Sequence, residues 1–248
     1  MSAFEITLNH FTGDDLEVVV PTGVTHIGRR AFANNNSVER VVLPEGLRAI
    51  DESAFYSCSR LREVALPSTL EEVREMAFCG CMALESIKLP ANVKVLGAKV
   101  FQRCTRLKRA NIPEGIVTLG HETFKACSAL TEIGLPKSLR VIEFDAFRNC
   151  SALQELQLPE GLDTLEDGVL SGCESLRRVE IPDTVGWIGR RCFEGCISLE
   201  QVKLPGTLLH IEERTFAGCV QLSDIDIPET VEAVEPDAFE GCPAYTAE

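Results

Sequence analysis

Proline stands at positions 21, 44, 67, 90, 113, 136, 159, 182, 205 and 228, a spacing of 23 that never slips. Two further columns keep the same beat. Phe follows each proline by eleven residues, from Phe32 to Phe239, with Leu170 as the single exception. Cys follows by fourteen, from Cys58 to Cys242, with Asn35 in the first copy, so nine of the eleven cysteines are one column. A chain with this periodicity is built from one supersecondary unit repeated, and that excludes most globular architectures before any residue is considered singly.

The unit from Pro44 to Leu66 shows how each copy folds. Its apolar slots are Leu47, Ile50, Ala54, Phe55, Leu61, Val64 and Leu66, and the other copies fill them almost entirely with Leu, Ile, Val, Ala or Phe. Segments such as Val64-Ala65-Leu66 alternate apolar and polar, the period of a half-buried strand. The next proline ends that strand because it lacks the N–H a further ladder bond needs. Gly46, Thr69, Asn92 and Ser138 follow with turn chemistry. The x-x-A-F-x-x-C stretch has helical spacing but is too short for a free-standing helix, which predicts a single 3₁₀ or α turn. One unit cannot bury its own apolar face, so the copies must stack. The expected fold is a repeat solenoid with a parallel β-sheet on one face and short strands and 3₁₀/α turns on the other. Ten strands about 4.8 Å apart make a sheet of roughly 45 Å, with the Phe column as an interior spine.

The resulting division is an N-terminal hairpin cap plus first strand over 1–20, the solenoid over 21–242 and a tail over 243–248. The hairpin is read from Phe4, Ile6 and Leu8 alternating with polar residues, the turn signal Thr12-Gly13-Asp14-Asp15, and the returning strand Leu16, Val18 and Val20. Residues 205–248 hold ten acids against Arg214 alone, so much of the net charge of −14 sits at one end. Repulsion there would protect an open strand edge from pairing with another chain.

The motif L-x-x-[VI]-x-[LI]-P-x-x-[LV]-x-x-[IVL]-x-x-x-A-F-x-x-C resembles the BspA-type leucine-rich repeat, also called the Treponema pallidum type, over about residues 16 to 245. The resemblance implies a curved, non-enzymatic solenoid from a family associated with adhesion and protein binding, whose adhesins are generally secreted or surface-exposed.

The cysteines do not read as disulfides or as a zinc site. Stacked Cβ vectors run parallel and cannot meet at the ~3.8 Å a disulfide needs, and a linear column offers no tetrahedron. Asn35 in the same slot suggests a small side chain that hydrogen-bonds a neighbouring turn, and a column of free thiols suits a reducing compartment. His26 and His210 share a slot eight copies apart, too far to share a ligand. No nucleophile elbow, phosphate loop or H-E-x-x-H stretch is present, so neither an enzyme nor a cofactor is expected. The net charge disfavours nucleic acid and anionic membrane surfaces, and no apolar run is long enough for a spanning helix. Met1 to Asp15 lacks signal-peptide character, which points to a cytoplasmic chain, or to a surface or secreted one if Met1 is not the native start.

Binding residues are sought where the copies differ. Four and two residues before each proline the slots vary freely in charge and size, which nominates Arg40, Glu63, Lys88, Arg109, Glu132, Glu155, Arg178 and Lys203 on the strand face. The basic clusters Arg106, Lys108 and Arg109, and then Arg177 and Arg178, are the preferred contact points, while Trp187 is expected to pack against the next repeat. The expected function is a non-catalytic scaffold binding a protein or peptide as a monomer. The alternative is an assembly module that docks, or dimerises, through its acidic C-terminal edge.

Overall fold

The computed structural model describes residues 6–243, and over that range the chain is a right-through stack of coils, each one repeat long, with parallel pairing throughout. The three-residue strands ahead of the prolines make the front ladder. Glu17–Val19, Arg40–Val42 and Glu63–Ala65 pair in sequence; Arg109–Asn111 pairs with Glu132–Gly134; Arg178–Glu180, Gln201–Lys203 and Asp224–Asp226 form the last block. Single bridges, Ser86 to Arg109 and Glu155 to Arg178, extend the second and third blocks by one coil each. Register is fixed at one repeat, as in Arg40 opposite Glu63 and Val41 opposite Val64, so each column seen in sequence is a physical row.

Two-residue strands form the rear ladder. Thr7–Leu8, His26–Ile27, Ala49–Ile50, Glu72–Val73 and Val95–Leu96 are one group; Thr118–Leu119, Val141–Ile142, Thr164–Leu165 and Trp187–Ile188 a second; His210–Ile211 and Ala233–Val234 a third. Between the ladders the apolar slots are sealed: Leu47, Ile50, Leu61 and the Phe column have essentially no exposure. Fully burying each such side chain contributes about 1.5–3 kcal/mol. The spine rings stack with centroids 4.8 to 5.8 Å apart from Phe32 through Phe147, and Leu170 fills the gap before Phe193.

The third side carries the expected short turns, although no helix occurs among the described residues. The N–H groups of Ala54, Tyr56 and Cys58 donate to carbonyls three residues back at 3.0–3.1 Å, but those of Ser53, Phe55 and Ser57 donate to Glu75, Ala77 and Cys79 of the next coil at 2.7–2.9 Å. A helix would spend every N–H within its own segment. Of the three residues that bond to the neighbour, Ser53 and Ser57 take left-handed φ of 57° and 55°. Helical spacing of Ala and Phe is therefore shared by a segment that hydrogen-bonds like a sheet.

The expected N-terminal hairpin is corrected. Thr7–Leu8 runs parallel to His26–Ile27, and Glu17–Val19 runs parallel to Arg40–Val42, so residues 6–20 form another coil. Phe11 stacks on Phe32 at 4.9 Å, continuing the spine, and the Asn35 side chain donates to the Gly13 carbonyl at 3.0 Å. Phe11 precedes Phe32 by 21 residues and no proline marks the coil, which hid its register. Phe4 and Tyr245 lie outside the described residues.

Candidate binding surface

On the front face each strand turns its middle residue inward and its first residue outward: Val41 is buried, while Arg40 and Glu63 are exposed. The outward row is therefore a stack of side chains one strand spacing apart, and opposite charges in adjacent coils meet. Arg40 lies between Glu17 at 3.8 Å and Glu63 at 3.2 Å, and Arg109 lies 3.2 Å from Glu132. Lys203 pairs with Glu180, whose carboxyl is held below its usual range by that hydrogen bond. Lys108 is 3.3 Å from Glu85. Such exposed pairs contribute little to stability, roughly 0–1 kcal/mol. Among the described residues no carboxylate lies within ion-pair reach of Arg177 or Arg178.

The eight candidates thus fall into separate places. Arg40 and Glu63 are one pair and Arg109 and Glu132 another. Lys88 lies on an irregular segment, where the Asn111 amide both accepts from the Leu89 N–H at 3.0 Å and donates to its carbonyl at 3.1 Å, patching the ladder with a side chain. Glu155, Arg178 and Lys203 come together around a notch of about 560 Å³ next to Pro182, where the front ladder narrows to the single Glu155 to Arg178 bridge.

The cysteine column is buried and unbridged. Cys81, Cys104, Cys127 and Cys150 donate Sγ–H to the carbonyls of Phe55, Phe78, Phe101 and Phe124 at 3.1–3.2 Å. Burial pushes the Cys58 thiol up to about 12, only partly offset by a backbone hydrogen bond, so these groups are neutral and unreactive. Their role is to satisfy carbonyls on the third side.

A second concavity escaped the sequence reading. Trp187, expected to pack against the next repeat, is 40% exposed, and Phe144 is 43% exposed. Both line a cleft of about 470 Å³ beside the rear ladder. The available signal was Phe144 itself, an aromatic in a slot that other copies fill with Glu52, Asp167 or Arg190.

Comparison with known families matches a BspA type leucine rich repeat region of six copies to residues 5–131 and again to 117–246. The chain belongs to the BspA-type leucine-rich repeat family. A leucine-rich repeat protein from Bacteroides ovatus is 26% identical, with a TM-score of 0.69 over 96% of this chain and 75% of that one. A leucine rich cell surface protein from Faecalibacterium prausnitzii is 25% identical, with a TM-score of 0.60 over 96% of this chain and 82% of that one. The pneumococcal vaccine antigen PcpA, 20% identical, shares the fold with a TM-score of 0.59 over 96% of this chain and 73% of that one. No curated protein matches. Members of this BspA-type family are scaffolds, typically without catalytic groups, and leucine-rich repeat proteins generally bind proteins or other ligands.

Proposed function

We propose that the chain is a non-catalytic scaffold that holds an extended, partly acidic protein segment across its front face, from Arg109 to Arg178. The supporting observation is the contrast in charge pairing along that face: Arg109 lies 3.2 Å from Glu132, whereas among the described residues no carboxylate is within ion-pair distance of Arg178, although Glu155 and Glu180 share its notch. A guanidinium with its fork open to solvent is ready to take a carboxylate in bidentate fashion. Arg109 and Arg178 are three coils apart, about 14 Å along the sheet, which suits an extended peptide of four or five residues. Selection of a displayed 12-residue random peptide library on the full chain should enrich acidic, extended sequences. Arg109→Glu with Arg178→Glu should weaken them several-fold and leave the fold intact. Peptides that bind the double variant as tightly as the parent would overturn the reading.

The alternative, docking through the C-terminal edge, draws on Ile225, Ile227, Val231 and Val234, which are partly exposed although their equivalents Val202, Leu204, Leu208 and Ile211 are buried. A second copy stacked there in register would bring Glu17 onto Asp224, opposing like charges at one strand spacing. That disfavours self-assembly over docking of a basic partner. Sedimentation velocity separates the two: a concentration-dependent dimer strengthened by Asp224→Lys would support the assembly reading.

A further inference from the structure

The cleft beside the rear ladder is built from three successive coils. One wall is Phe144. Its ring stacks on His121 of the preceding coil, with centroids 4.7 Å apart and planes 11° from parallel, so one face is covered and the other looks along the solenoid axis into the cleft. The opposite wall is Trp187, two coils further on, with Arg190 and Arg191 beyond it. The two aromatic residues stand in different rows, Phe144 eight residues after Pro136 and Trp187 five after Pro182, and Asp167 follows Phe144 in its own row, so a ring resting against them also meets the Asp167 carboxylate.

The floor belongs to the intervening coil, Glu166 to Gly168. Its slot is occupied in other copies by Lys99, Glu122, Asp145 and Arg191, all with positive φ, so glycine is not demanded by the backbone there. Instead Gly168, with φ of 64°, leaves room for the Asp145 carboxylate, since a Cβ at that position would lie 2.4 Å from Asp145 Oδ1. Gly189 holds its coil against the backbone of Glu166 and Asp167, where a Cβ would come within 2.5 Å. Of the two, only Gly168 lines the cleft; Gly189 belongs to a slot that Gly28, Gly97 and Gly120 also fill.

The polar groups are held before any ligand arrives. Asp167 Oδ1 accepts the Arg190 backbone N–H at 2.8 Å, Glu166 Oε2 accepts the Phe144 N–H at 3.0 Å, and Arg191 lies 3.1 Å from Glu213. Each leaves further lone pairs or N–H groups unspent. Arginines and carboxylates alternate around the rim and largely cancel, so the cleft selects against a strong anion or cation. Its polar rim equally disfavours a hydrocarbon. What fits is a neutral ring with an apolar face for an aromatic wall and adjacent hydroxyls that both donate to carboxylates and accept from a guanidinium fork. We propose that this cleft is a sugar subsite that seats one neutral pyranose ring of a glycan between Phe144 and Trp187. The site is on the opposite side from the front face and stands independently of the protein-binding reading.

Trp187 is the chain's only tryptophan, so its fluorescence reports on this wall alone. The full chain is titrated with methyl glycosides of glucose, galactose, mannose and N-acetylglucosamine and with oligomers of each up to four units. At least one series should give a saturable blue shift, on the order of millimolar for the monosaccharide and about tenfold tighter for the tetramer. Phe144→Ala and Asp167→Asn should each weaken it about tenfold. Because both side chains are largely exposed, the variants should melt with the parent; if Phe144→Ala does not, Asp167→Asn alone decides. Arg178→Glu should leave sugar binding unchanged. Absence of a shift up to about 50 mM would overturn the proposal. So would equal affinity in the Asp167→Asn variant, or a shift produced by an acidic peptide or a nucleoside in place of every sugar.

Discussion

The third side and the front face are both stacks of equivalent side chains at one repeat spacing, yet one is nearly invariant and the other changes from coil to coil. On the third side a Phe ring must stack on the next Phe and a thiol must reach a carbonyl of the preceding coil, so each slot is its own neighbour's partner and only like with like will fit. On the front face an outward residue meets its neighbours across water, where an Arg beside a Glu and a Glu beside a Ser differ by only a few tenths of a kcal/mol. Uniformity thus marks where coils hold one another, and variation marks where they are left to hold something else.

The sharpest way to break this comparison is alkali. The buried thiols keep their protons in the folded chain, with Cys58 raised to about 12 by burial, while in the unfolded chain they ionise from about pH 9. Above that pH the unfolded state binds fewer protons, so stability is intact below pH 9 and falls as pH rises, by about 1.4 kcal/mol per thiol per pH unit. With eight thiols of the column raised in this way, from Cys58 to Cys219, circular dichroism should show abrupt unfolding within about one unit of their unfolded-state value. Survival of the fold to pH 11 would mean that the column is not buried as described. Next in size is Phe124→Ala, which should cost about 3–5 kcal/mol in a denaturant titration by opening a cavity between Phe101 and Phe147. Cys127→Ser should cost about 1–2 kcal/mol, because a more polar group is buried although its hydrogen bond to Phe101 can be kept. The smallest effect belongs to the front face: Lys88→Glu with Arg178→Glu should move the melting temperature hardly at all. If the front-face pair destabilised the chain as much as the Cys127 change, the distinction between the two sides would be lost.

The period, the parallel strands, the Phe spine and the hydrogen-bonding thiols were all legible because each is a constraint repeated in every coil. The first coil was not, since Phe11 is two residues out of step with the spine and a hairpin explains its alternation equally well in one dimension. The third-side turns were legible, but not their cross-coil bonding, because Ala and Phe at helical spacing say where side chains go and nothing of whether the N–H groups point along the chain or across it. Of the binding surface, the rows could be named but not their pairings. Arg109 and Arg178 look alike in sequence, and only the register reveals that Glu132 shares the first. The cleft gathers Phe144 and Trp187 from different rows of different coils, which no single column of the sequence displays.

The division of N–H groups on the third side has a mechanical counterpart. Between coils, hydrogen bonds on all three sides run along the solenoid axis, while within a coil the chain lies across it. Tension applied between the chain's two ends therefore loads one interface at a time, at whichever terminus yields first, in the manner of peeling rather than shear. Each coil released would add 23 residues of slack, roughly 75 Å of extended chain. The molecule would lengthen in even steps under load while the coils still stacked kept their faces in shape.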